Sequence, residues 1–353
     1  MFRKCISPIV ALCLVSMTTL ALPENNRDRE VRVVTYNMYL GTDFTEIFSA
    51  TSFPEVISEV AEAYGDVQAG NPAERIDAIA NQIAASDAHV VGLQEVALWR
   101  TGEFNNPSDA TTVSYDFLEM LLGELTERGL HYNVVAVQTN FDAELPAAGP
   151  AVFADVRYTD RDVVLVRTDL KTSDIKLEGA QAHTFDTLLT LPLLIGNVTI
   201  QRGWVAVDIK MRGNTYRVIN AHTEAFHPLV QYAQAGELLQ GPANTSLPVI
   251  LIGDFNSDAE AYGASYALLT GAGFADAWEL TNTVGPGYTW PLFLDSATVF
   301  TTPVEWLDLV MIRGEVRAAA TDRIGEDPVL DVTTSGLRPS DHAGVAAALV
   351  LEP

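Results

Sequence analysis

The sequence predicts an α/β fold, and three observations predict it. Apolar runs of strand length recur along the chain, helical stretches fall between some of them in both halves, and polar residues able to bind metal or move protons stand at the C-terminal ends of the runs. The runs cover 31–36, 89–93, 133–137, 163–167, 205–211, 216–221, 249–252, 307–312 and 344–351, several of them rich in valine and isoleucine, which suit a pleated surface. A helix is predicted from Pro72, with Ile76, Ile79 and Ile83 on one side and Glu74 placed to complement the dipole. A second is predicted over 115–128, burying Leu118, Leu121, Leu122 and Leu125 and stopping at Gly129. The stretches 41–73 and 140–158 are predicted to be insertions overhanging a site.

A chain of 353 residues, 48% of them hydrophobic, can bury a large core. No Pro/Gly/Ser-rich linker or fixed-period repeat divides it, which predicts a single domain over 22–353. The first 21 residues carry Arg3 and Lys4, then an apolar stretch, then small residues at Thr19 and Ala21, the pattern of a cleaved secretory signal peptide. Pro8, Thr18 and Thr19 leave fewer than the roughly 20 apolar residues that a membrane span needs. Secretion is therefore the expected localisation, extracellular or periplasmic. Both cysteines, Cys5 and Cys13, lie in this segment, so the mature chain is expected to hold no disulfide. The formal charge of −25 repels polyanions at long range, although bound cations can reverse the sign locally.

The polar strand ends carry the chemistry. VRVVTYN delivers Asn37, HVVGLQEV delivers Glu95, and YRVINAH ends in Asn220 and His222. VILIGDFNSD supplies Asp254 and Asn256 with Asp258 beyond, WLDLVMI opens with Asp308, and PSDHAGV holds Asp341 and His342. Ligand sites of open α/β sheets form outside the carboxyl ends of strands, so these side chains are predicted to share one rim. Carboxylates buried there are costly unless they are paired or coordinate a cation. Carboxylate, amide and imidazole without thiol suit Mg²⁺ or Mn²⁺, with Ca²⁺ as a further candidate, and argue against structural zinc.

In this order and these strand contexts, the set N, LQE, NxH, GDFN, LD and SDH resembles the endonuclease/exonuclease/phosphatase superfamily. That superfamily includes pancreatic-type deoxyribonuclease, apurinic endonucleases, bacterial sphingomyelinases and inositol-polyphosphate phosphatases. The resemblance runs from Val31 to Leu351. It implies a four-layer α/β/β/α sandwich, two packed sheets flanked by helices as in deoxyribonuclease, and metal-dependent phosphoester hydrolysis.

The resemblance also implies roles. Glu95, Asn37 and Asp341 correspond to the metal ligands, Asp254 to the carboxylate that orients or deprotonates water, and Asn256 to the group that holds phosphate or a second ion. His342, its tautomer fixed by Asp308, would meet the scissile phosphate, and His222 would donate to a non-bridging oxygen. Whether His342 or Asp254 takes the proton is left open. Arg161 resembles an arginine that touches phosphate in the pancreatic-type nucleases, with an ion pair to Asp160 or Asp162 as the competing reading. The glutamate that orients the first histidine in those nucleases has no clear counterpart here. His227 is read as a loop residue, and His89, His131 and His183 are given no role.

For the substrate, the motifs favour a phosphodiester of nucleic acid, whereas the scarcity of basic residues argues against a polyanion groove. A phospholipid or sphingomyelin phosphodiesterase is the second reading, from the apolar segments 188–196 and 289–293, which otherwise are a buried strand or hairpin. A catalytically silent binding module is the third. No stable protein partner is inferred, and a monomer is expected.

Overall fold

The computed structural model describes residues 29–170, 175–211, 213–282, 285–293 and 300–352, so the expected signal peptide lies outside the described residues. The first part of the chain runs β1 (Glu30–Asn37), α1 (Thr45–Ser49), α2 (Phe53–Ala69), α3 (Pro72–Ser86), β2 (Val90–Gln94), β3 (Leu98–Gly102), β4 (Thr112–Asp116), α4 (Phe117–Glu127), β5 (Tyr132–Ala148) and β6 (Phe153–Arg167). It continues with β7 (Ile175–Thr184), β8 (Leu189–Leu193), β9 (Gly196–Ile200), β10 (Gly203–Met211), β11 (Asn214–His222), α5 (Pro228–Gln240) and β12 (Val249–Asp254). Last come α6 (Ala264–Gly271), β13 (Ala275–Asp276), α7 (Ala277–Thr281), β14 (Asp308–Arg313), β15 (Val316–Ile324) and β16 (Gly344–Leu351).

Two large sheets result. One has the order β15-β16-β1-β2-β6-β3-β4 with β5 also on β6, and the other the order β13-β14-β12-β11-β10-β7. Strand periodicity explains their stacking. Val31 and Val33 of β1, Val164 and Val166 of β6, Val218 of β11, Ile250 and Ile252 of β12, and Val310 and Ile312 of β14 all enter one core between the sheets. The alternate residues Val34 and Tyr36 of β1 and Val163 and Leu165 of β6 pack instead under α2, α3 and α4. On the far side, Leu251 and Met311 pack under Leu238 of α5 and Leu269 of α6. The expected α/β/β/α layering is what the chain forms. The sheets approach closely at Gly92, where an added Cβ would come within 2.7 Å of the Asn220 side chain.

Two expected insertions are regular structure. Segment 41–73 contains α1 and α2. Ser52 caps α2 by accepting from the Glu55 amide, Pro54 opens its first turn, and Val56, Val60, Tyr64 and Val67 form its buried stripe. Segment 140–158 is most of the long β5–β6 hairpin, paired from Tyr132↔Arg167 to Ala148↔Phe153 and turning around Gly149 and Pro150. The apolar segment 188–196 is a hairpin, β8 on β9, but a half-exposed one, with Leu194 at its turn 45% exposed. In 289–293, Leu292 and Phe293 are buried.

Candidate active site

The face that is apolar through the middle of the sandwich turns polar at one end. Along β1 it passes from Val31 and Val33 to Thr35 and Asn37, and along β11 from Val218 to Asn220 and His222. On β12 it reaches Asp254, and β14 starts at Asp308. Register does the rest: His222 pairs with Asp254, and Asp254 with Asp308, so three adjacent strands present the three groups at one level. All are buried. Gly253, with φ +146°, allows this approach, since a Cβ there would lie 1.9 Å from the Ala221 carbonyl oxygen.

His342 stands between two carboxylates. Its Nδ1 is 2.8 Å from Asp308 Oδ2, and its Nε2 is 3.8 Å from Asp254 Oδ2. The Ser340 hydroxyl accepts from the His342 amide and donates to the Asn37 carbonyl, which ties the SDH turn to the end of β1. Burial disfavours the imidazolium, but Asp308, Asp341 and Asp254 together outweigh burial and raise the His342 pKa well above the usual imidazole value. His222 goes the other way. Burial, then Arg202 and His342, push it well below that value. Its Nδ1 lies 3.0 Å from Arg202 Nη1 and 3.8 Å from Asp162 Oδ1, and its Nε2 lies 3.6 Å from Asp254 Oδ2. A neutral imidazole that accepts at Nδ1 from the guanidinium carries its proton on Nε2, turned toward Asp254. The two histidines are thus differentiated, one charged and one neutral.

The acids are set apart from ordinary carboxylates in the same way. Burial, reinforced by Asp341 and Asp160, raises Glu95 to about 7, and burial, reinforced by Asp308, raises Asp254 to about 6. Burial also raises Asp341. Glu95 has φ +53° and Asn256 φ +47°, left-handed conformations that a non-glycine residue adopts where its surroundings hold it. Glu95 accepts from the Leu40 amide at 2.9 Å, Asp254 accepts from Asn37 Nδ2 at 3.1 Å and from the Asn256 amide at 2.9 Å, and Trp290 donates to Asp341 at 3.3 Å. Glu95, Asp254, Asn256, Asp341, His222 and His342 line one cavity of about 690 Å³ together with Arg202.

These residues fit a hard divalent cation. Asp341 raises the proton affinity of Glu95, both line the cavity, and the donors are carboxylate oxygens, which oxygen-seeking ions prefer. Asp254, Asp308 and His342 also bring ligand atoms within 4.8 Å of one another. There, however, the imidazole already occupies the space between the two acids and answers Asp308 by hydrogen bond, so Glu95 and Asp341 are the better cation seat. Asn37, expected as a metal ligand, has its Oδ1 accepting from the Tyr39 amide and its Nδ2 donating to Asp254.

Arg161 is elsewhere. It donates to the Val96 and Ala97 carbonyls and to Asp116, and it is not among the residues lining the cavity. Period two in β6 is the reason, because Arg161 shares the helix-side face with Val163 and Leu165, while Asp160 and Asp162 share the inter-sheet face with Val164. Neither competing pair, with Asp160 or Asp162, forms; the partner is Asp116. The cation at the site is Arg202, 3.5 Å from Asp160, which the sequence reading missed. It also missed Asp162, buried with its Oδ1 3.8 Å from His222 Nδ1. The signal was the Asp-x-Asp alternation in the middle of β6. Asn220 proves to be a staple between the sheets, donating to the Leu93 and Val163 carbonyls and accepting from Gln94. His227 is the residue before α5, as expected of a loop residue.

Fold and site together define a metal-dependent phosphoric ester hydrolase. The chain belongs to the Endonuclease/Exonuclease/phosphatase family, whose family model matches residues 34–342. Members of that family depend on a divalent metal. Solved structures of the same fold include a family protein from Bacteroides thetaiotaomicron, at TM-score 0.57 and 15% identity, covering 92% of this chain and 98% of that one. A mannosyl-6-phosphatase from Bacteroides thetaiotaomicron VPI-5482 aligns at TM-score 0.55 and 16% identity, over 91% of this chain and 100% of that one. TDP2 of D. rerio in complex with a single-strand DNA product aligns at TM-score 0.52 and 16% identity, over 91% and 99%. By sequence, no curated protein matches the chain.

Proposed function

We propose that this chain is a secreted phosphodiesterase that uses Mg²⁺ or Mn²⁺, with Ca²⁺ as a further candidate, held by Glu95 and Asp341. The observation that carries the reading is the placement of His342 and His222 on either side of Asp254, in a cavity that Glu95 also lines. A divalent ion bound there would neutralise charge on a phosphoryl oxygen. Asp254, its proton affinity raised toward neutrality, takes the proton of the attacking water. The new P–O bond forms as the bond to the leaving alkoxide breaks, and the alkoxide takes a proton from the His342 imidazolium, giving a phosphate monoester and the free alcohol. The Nε2–H groups of His342 and His222 face the oxygens on which charge accumulates, and Arg202 adds a fixed positive charge beside His222. Secretion rests on the leader-like first 21 residues.

Nucleic acid is the substrate that the order of the motifs favours, and the aromatic side chains of the cavity could stack bases. The charge of the cavity favours a single phosphate instead, since Asp43, Asp160 and Glu305 line it and Arg202 is the one Lys or Arg among its described lining residues. A panel of supercoiled plasmid, sphingomyelin and bis-(p-nitrophenyl) phosphate, each with Mg²⁺, Mn²⁺, Ca²⁺ or chelator, tests the reading. Metal-dependent turnover of at least one ester is expected. Turnover that survives chelation, or none with any metal, defeats it.

A further inference from the structure

A second cavity of about 470 Å³ opens beside the catalytic one and shares Phe44, Phe48, Phe141 and Tyr158 with it. Trp99 and Tyr158 are both buried, their ring centroids 4.7 Å apart, and Phe44 packs against Tyr158 at 5.2 Å. The indole N–H of Trp99 is spent on the Leu40 carbonyl, so the ring offers this space only an apolar face. Ile47 of α1 and Val198 of β9 line the annex as well. An apolar, partly open recess continuous with a reaction centre is the usual seat for the non-reacting body of a substrate.

Its charge decides what that body is. A groove for single-stranded nucleic acid combines stacking rings with basic residues that track successive phosphates. Here the rings are present, but no Lys or Arg is among the described residues lining the annex, and Asp142 and Glu144 are. We propose that the annex takes the alkyl or acyl chain of an amphiphilic phosphoester, a lipid-type substrate whose phosphate lies between His342, His222 and Glu95. This rests on the hydrolase reading above for the phosphate end, and on the annex alone for the chain.

The test is a series of alkyl p-nitrophenyl phosphodiesters, methyl, hexyl and decyl, kept below their micelle concentrations and assayed with Mg²⁺ or Mn²⁺. Each buried methylene is worth up to about a fourfold gain in binding, so kcat/KM rises steeply from methyl to decyl until the annex is full. Val198→Asp, and independently Ile47→Asn from the other wall, collapse the decyl-to-methyl ratio measured within each variant. A ratio that stays at the wild-type value in both variants overturns the proposal, as does a flat series in the wild type. So does a higher kcat/KM for a single-stranded oligonucleotide than for the decyl ester. Calorimetric binding of decylphosphonate against methylphosphonate, with Mg²⁺ present, needs no turnover. Equal affinity overturns the annex whatever the esters do. Tighter binding of the decyl compound with every ester inert supports the annex and defeats the hydrolase reading instead.

Discussion

Replacing Asp308 by Asn keeps the size of the side chain and removes the charge that faces His342. The contact is 2.8 Å long and Asp308 is fully buried. Opposite charges ~4 Å apart attract by about 4 kcal/mol at an effective dielectric of about 20. Desolvation takes part of that back, which leaves on the order of 1.5–3 kcal/mol for a hydrogen bond to a charged group. That amount lowers the proton affinity of the imidazole by roughly 10- to 150-fold, at 1.36 kcal/mol per tenfold. Without that charge the imidazole tends to neutrality and its ring is held less firmly, so the expected fall in kcat is about 10²–10⁴-fold, the range for losing positioned acid–base help. The sign with pH follows from the raised pKa. The pair's stabilisation is fully present below the ordinary imidazole value and is lost as pH rises through the folded one, so the variant loses imidazolium at a lower pH than the wild type. The assay is kcat against pH on bis-(p-nitrophenyl) phosphate, with the imidazole followed by nitrogen NMR. A variant within about threefold of wild type across the profile, or a wild-type His342 that titrates like a free imidazole, refutes the reasoning.

Other expectations follow from the same geometry. Folded Glu95 and Asp254, at about 7 and about 6, bind protons more tightly than unfolded carboxylates near ~4.3 and ~3.9. Their contribution to stability is therefore fully present below the unfolded values and lost as pH rises through 6 and 7. In chelator, the melting temperature should fall from pH 5 to pH 8 and be restored by Mg²⁺ or Mn²⁺; a flat or rising profile in chelator contradicts the charge arrangement. Arg202→Met removes the guanidinium beside His222, and kcat is expected to drop about 10²–10³-fold, as for loss of a transition-state donor. A change under twofold would remove Arg202 from the machinery. Arg161→Ala strands Asp116 and two carbonyls, and urea titration is expected to show about 1–3 kcal/mol of lost stability. KM should stay near wild type, and a large rise in KM with stability unchanged would restore Arg161 as a phosphate contact.

The strand ends were legible because each is a long apolar run closed by one polar group, and the chain order of Glu95, Asp254, Asp308 and His342 carried the rest. Two helices were legible as apolar stripes with clear ends, α3 at Pro72 and α4 at Gly129. The α2 stripe was equally present in 53–69, within the stretch expected to be an insertion. Arg161 went astray because sequence adjacency was weighed above the two-residue period of the strand, which sends neighbours to opposite faces. Arg202 left no trace of its role, since it stands in the short connection before β10 and acquires its partners from β6 and β11 by tertiary packing. Asp162 is intermediate, detectable only once the register of β6 is fixed. The apolar annex belongs to the same class, because its rings come from α1, β3, β5 and β6 and meet only in the folded chain.

The central claim is that one divalent ion sits at this rim, against Glu95 and Asp341 and beside Asp254 and the two histidines. Crystals soaked in Mn²⁺ and measured at the manganese absorption edge test it directly. The account predicts an anomalous peak about 2.0–2.2 Å from a Glu95 carboxylate oxygen, within coordinating reach of Asp341. A peak centred between Asp254 and Asp308 with Glu95 uninvolved, or no peak in the cavity at all, contradicts it.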